Sequence, residues 1–147
     1  MPRTVLVVPV PEAEGLVPHA HITLLSPFAP KEQVTDGLLR ELDGFFGDCV
    51  PFSYQLSELS QFPGGTAYLS PDPGAPFRSL THELYRTFPE YQPYEGRFAD
   101  VVPHLSVPDD FRLDEAITAF ARTAELWEDD EELIAVLATF GFGTTAA

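Results

Sequence analysis

His21-Ile22-Thr23-Leu24 and His104-Leu105-Ser106-Val107 are two copies of one pattern: histidine, apolar, hydroxyl, apolar. Both sit in sequence that reads as β-strand. In a strand, residues i and i+2 share a face. Each copy therefore sets an imidazole beside a hydroxyl, with apolar side chains on the opposite face. Each follows a proline-containing approach, Pro18 before the first and Pro103 directly before the second.

Working outward, Thr4 to Val10 is an apolar run bounded by prolines and reads as the first strand. Pro11 to Pro18 is a short connection, and Ala20 to Leu25 is the strand of the first motif. From Pro30 to Phe46, the apolar residues Val34, Leu38, Leu42 and Phe45 form a helical stripe, with Pro30 in the first turn and Gly47 at the stop. Phe52, Tyr54 and Leu56 alternate with polar residues, so this is a half-buried strand. Pro63-Gly64-Gly65 makes a turn into a strand from Thr66 to Leu69, and a Pro/Gly stretch from Pro71 to Pro76 follows. Phe77, Leu80, Leu84 and Phe88 predict a second helix. Pro89 to Gly96 reads as a loop and Asp100 to Val107 as the strand of the second motif. Leu113, Ile117 and Phe120 have the spacing of a short helix. Arg122 to Trp127 and Leu133 to Phe140 read as strands around the acidic turn Glu128 to Glu132. Each motif strand is thus expected to be followed by a helix and then two strands, an internal echo that suggests two facing halves of one domain over residues 1–147.

Composition limits the partners. The 147 residues include 8 Lys+Arg against 23 Asp+Glu, a formal net charge of −15. Grip on a long nucleic acid needs basic side chains that displace counterions, so a polyanion would mostly be repelled. A small phosphorylated ligand in a local pocket is compatible with this balance. High net charge also favours a monomer. No apolar run approaches the roughly 18 residues of a membrane span. The N-terminal segment suits a first strand better than a signal peptide, and one cysteine, Cys49, leaves no internal disulfide and fits a cytoplasmic protein.

Two histidines on either side of a phosphorus can divide the labour of acid–base catalysis. One, neutral, takes a proton from the attacking water, and the other, protonated, gives one to the leaving oxygen. Thr23 and Ser106 can donate hydrogen bonds to non-bridging phosphate oxygens. This chemistry calls on no metal or other cofactor. A rival grouping is His19-x-His21 with Cys49 or His82 as zinc ligands, for which the spacing is weak evidence. Tyr68 and Tyr94 could stack on a nucleobase or simply pack. Arg78 could meet a phosphate, although a surface place on its helix suits it as well. Trp127 is expected on the core side of the last hairpin. Cys49 has no basic neighbour in sequence to lower its pKa and reads as structural.

The chain resembles the 2H phosphoesterase superfamily, also known as the 2′-5′ RNA ligase-like or cyclic phosphodiesterase family, which is defined by two His-x-Thr/Ser motifs. His21-Ile22-Thr23-Leu24-Leu25-Ser26-Pro27-Phe28 is similar to that family's first motif with its Pro-Phe exit. Phe62-Pro63-Gly64 and Tyr68-Leu69-Ser70-Pro71 resemble its middle strand pair. Pro89 to Tyr94 and Val101 to Val107 resemble the approach to its second motif. The resemblance implies a two-lobed, pseudo-symmetric α+β fold, each lobe an antiparallel sheet with flanking helices, around a central cleft. It implies His21, Thr23, His104 and Ser106 as the catalytic set. It implies hydrolysis of a 2′,3′-cyclic or related small cyclic phosphodiester, with a nucleotide as substrate and no metal. Two other activities fit the same fold: transfer or hydrolysis at 2′-5′ RNA ends, and non-catalytic binding of a nucleotide or a partner. The chain departs from the family where Pro11 to Pro18 replaces a longer helical segment and where Ser26 stands in place of an aromatic residue. Cations near the motifs are few, with Lys31, Arg78 and Arg97 the candidates.

Overall fold

The computed structural model describes residues 3–90, 102–130 and 133–143. In chain order the elements are β1 (Arg3–Pro9), β2 (His21–Leu25), α1 (Asp36–Gly47), β3 (Phe52–Gln61), β4 (Ala67–Asp72), α2 (Ala75–Thr87), β5 (Leu105–Val107), β6 (Ile117–Ala121), β7 (Thr123–Asp130) and β8 (Leu133–Gly141), with single 3₁₀ turns at Pro11–Ala13 and Lys31–Gln33. The strands form two four-stranded antiparallel sheets, ordered β2-β1-β7-β8 and β5-β4-β3-β6. The motif strands β2 and β5 therefore occupy equivalent edges of the two sheets. This is the two-lobed, pseudo-symmetric α+β fold expected from the sequence.

One core serves both sheets. Leu6, Val8, Ile22 and Leu24 from the first sheet join Leu56, Leu69, Leu105 and Val107 from the second. Leu42 and Phe46 of α1 and Phe77, Leu80 and Leu84 of α2 close it from the helix side. Strand alternation then decides where the motifs go. Ile22 and Leu24 turn inward, so His21 and Thr23 turn away from the core; Leu105 and Val107 turn inward, so Ser106 turns away. Both hydroxyls and His21 thus lie on the faces opposite the helices. The two sheets meet where β2 contacts β5 and where β6 contacts the 3₁₀ turn at Pro11–Ala13. Phe120 N donates to Glu12 Oε2 there at 3.0 Å.

Four local expectations need correction. The first helix starts at Asp36 instead of Pro30, because Thr35 caps it by accepting from Leu38 N at 3.2 Å. Pro30 only opens the 3₁₀ turn before it. The expected helix through Leu113, Ile117 and Phe120 is strand β6, paired with β3. Its three apolar positions fit a helical stripe, but Ala119 and Ala121 are the residues that turn inward while Thr118 and Phe120 face out, a period of two. The strand of the second motif is only Leu105–Val107, with His104 just before it. Pro103 has no N–H to donate to a ladder, and the expected strand start at Asp100 lies outside the described residues. The internal echo accordingly lies in sheet order and not in element order, since the second motif is followed by strands alone. Among the described residues no helix is long and apolar enough to cross a membrane.

Candidate active site

His21 opens β2 opposite Pro9, and Thr23 lies two residues on, opposite Val7. Both are half-buried. His104 is half-buried at the threshold of β5, and Ser106, exposed, pairs with Tyr68 of β4.

The two imidazoles are anchored in the same way. His21 Nδ1 lies 2.7 Å from the carbonyl oxygen of His19, and His104 Nδ1 lies 2.8 Å from that of Val102. In each case the partner is the carbonyl two residues upstream. A carbonyl can only accept, so Nδ1 carries the proton and the neutral ring has its lone pair on Nε2. At the first motif the approach is bent to make this bond. His19 adopts a left-handed φ of 55°, which is uncommon outside glycine, and Ala20 N is held by Glu14 Oε2 at 2.8 Å. A 3₁₀ turn and the bend to His19 fill the connection that the family resemblance assigns to a longer helical segment.

Each histidine also has an aromatic shoulder. The indole of Trp127 is edge-on to His21, centroids 4.7 Å apart, and Phe62 is edge-on to His104 at 4.9 Å. Tyr68 stacks on Phe62 at 4.0 Å and lies edge-on to His104 at 5.8 Å. One face of Tyr68, offered from sequence as a stacking platform for a base, is therefore taken by Phe62. Tyr94 and Arg97 lie outside the described residues.

Trp127 corrects a sequence expectation. Ala124 and Leu126 are the inward residues of β7, and Trp127 turns to the opposite face, where it builds a small buried cluster with Val5 and Val7. Its N–H donates to Glu125 Oε1 at 2.8 Å. Sequence reading missed Trp127, Phe62 and Glu125 as neighbours of the site. The period-two alternation of β7 was the available signal for Trp127. A cavity of about 570 Å³ adjoins this face, bordered by Glu14, His19, Phe120, Arg122, Glu125 and Trp127.

The other candidates do not join the motifs. Lys31 pairs with Glu128 at 2.9 Å. Arg78 is exposed on α2 and folds back over Gly74. His82 is exposed on α2. Cys49 follows α1, its Sγ 3.5 Å from the Phe45 carbonyl, and burial, with Asp48 beside it, pushes the thiol up from its ordinary value. Among the described residues no group of three or more His, Cys, Asp or Glu could hold a metal ion, so the grouping of His19 and His21 with Cys49 or His82 does not form.

The model of the 2′-5′ RNA ligase superfamily matches residues 11–135. Among solved structures, LigT of E. coli complexed with 3′-AMP is similar over 97% of this chain and 99% of its own, with a TM-score of 0.66 at 13% identity. A crystal structure described as a phosphoesterase aligns over 97% and 98%, with a TM-score of 0.64 at 10% identity. TT0787 of Thermus thermophilus aligns over 97% and 99%, with a TM-score of 0.60 at 16% identity. At these identities the likeness concerns the fold. No curated protein matches the sequence.

Proposed function

The chain belongs to the 2′-5′ RNA ligase superfamily, and from that membership we propose that it is a phosphoesterase that opens a small cyclic phosphodiester of the 2′,3′-cyclic nucleotide type by two-histidine acid–base catalysis. The observation that carries this reading is the matched anchoring of His21 and His104, each with Nδ1 on the carbonyl two residues upstream. With Nδ1 donating in each ring, Nε2 is the nitrogen at which either ring can take or give a proton, which supports dividing the work of one reaction between them.

In the reaction, water attacks phosphorus while the neutral histidine takes its proton at Nε2. The P–O bond of the ring breaks, and the protonated histidine gives its Nε2 proton to the departing oxygen. The product is a phosphomonoester with a free hydroxyl. Thr23 and Ser106 hydroxyls donate to the non-bridging oxygens, where negative charge gathers in the transition state. The mechanism calls on no metal.

The net charge of −15 favours a small substrate over RNA. The fold neighbour LigT has been crystallised with 3′-AMP, with ATP and with NADP+, which supports a nucleotide for this chain as well.

Turnover of 2′,3′-cyclic AMP by the wild type, His21→Ala and His104→Ala is the test. Activity in the wild type and its loss in both variants is expected. Tight binding of cyclic nucleotides without turnover of any would show a binding protein on the same fold.

A further inference from the structure

An imidazole that carries protons works from one orientation of its ring, and at His21 an indole lies alongside in addition to the Nδ1 hydrogen bond. We propose that Trp127 is a positioning residue for His21 and that Glu125 holds Trp127 in place. The proposal rests on the reading of His21 as a proton carrier.

Three observations carry it. The indole lies against the imidazole at 4.7 Å between centroids, with 61° between the rings. Trp127 is only 5% exposed although it lies on the face away from the main core, because Val5 and Val7 pack around it there. Its N–H is fixed by a charged acceptor, Glu125 Oε1 at 2.8 Å, and Glu125 Oε2 is met in turn by Thr139 Oγ1 of β8 at 3.4 Å. Glu125 and Trp127 stand two apart on one strand and so share the face that His21 occupies. The result is a chain of contacts from β8 through β7 to the ring. Phe62, edge-on to His104 at 4.9 Å, is the counterpart at the other motif, so both histidines have a carbonyl in line and an aromatic ring alongside.

The test uses Glu125→Gln, Glu125→Leu and Trp127→Phe. Glutamine keeps an acceptor for the indole N–H, leucine removes it, and phenylalanine keeps a ring without the N–H. Two readings are taken: the side-chain nitrogen signals of His21 by NMR, and kcat and KM on 2′,3′-cyclic AMP. Glu125→Leu is expected to lower kcat about tenfold with KM within about twofold, the signature of a misplaced catalytic group. Its His21 signals should move from the Nδ1–H tautomer towards a mixture, while Glu125→Gln stays close to wild type in both. If Glu125→Leu fails to fold, Trp127→Phe takes its place, with the same direction expected. Folded variants in which neither the His21 signals nor kcat change would overturn the proposal. Should the wild type turn over no cyclic phosphodiester, the phosphoesterase reading fails, and the NMR signals still decide whether Trp127 and Glu125 orient the ring.

Discussion

Thr81 Oγ1 of α2 donates to the backbone carbonyl of Leu24 at 2.7 Å, in the buried interior between the helix and the first motif strand. The bond ties α2 to the strand whose opposite face carries His21 and Thr23. Thr81→Val keeps the shape and removes the donor, which leaves a buried carbonyl short of a partner. Unfolding in urea should show a loss of about 1–2 kcal/mol. An unchanged midpoint would mean that the helix is held by its apolar face alone.

Tyr54 is buried, and among the described residues its hydroxyl has no hydrogen-bond partner. Burial foremost, and Glu12 in addition, raise its pKa well above the ordinary tyrosine value. The sign of the linkage follows. In the unfolded chain the phenol loses its proton from about pH 10, while in the folded protein it keeps it, so stability is present below about pH 10 and falls above it, by at most about 1.4 kcal/mol per pH unit. Tyr54→Phe should gain about 1 kcal/mol at neutral pH and flatten the alkaline decline, measured by urea unfolding across the pH range. A loss of stability at neutral pH would mean that the hydroxyl is satisfied after all.

Thr23 and Ser106 are proposed to hold the non-bridging oxygens. Thr23→Val and Ser106→Ala should each lower kcat about a hundredfold, the usual cost of one donor to a developing anion. Ser106 is exposed, so its variant should fold as the wild type does. Equal activity in Ser106→Ala would remove the hydroxyl from the mechanism.

Much of this architecture can be read from local patterns. The alternation of His21-Ile22-Thr23-Leu24 is enough to put the histidine and hydroxyl opposite the core, because a strand leaves no other choice. The stripe of α2 and the turn at Pro63-Gly64-Gly65 are equally local. Position 117 shows the limit: Ile117 and Phe120 have helical spacing, yet pairing with β3 makes the segment a strand and puts the two on opposite faces. Trp127 shows another. A tryptophan is a natural core residue, yet Ala124 and Leu126 already fill the inward positions of β7, and its real neighbour, His21, is distant in sequence. Lys31 looked available for a phosphate until Glu128, far along the chain, came beside it. The carbonyl anchors of the two imidazoles depend on backbone geometry, such as the left-handed His19, that no composition announces.

The central claim is that His21 and His104 act on one phosphate. A structure with bound 3′-AMP tests it most directly. Nε2 of both histidines is expected within about 2.6–3.2 Å of oxygens of the same phosphate, with the hydroxyls of Thr23 and Ser106 donating to it. A phosphate held by one histidine alone, or bound away from both, would contradict the account.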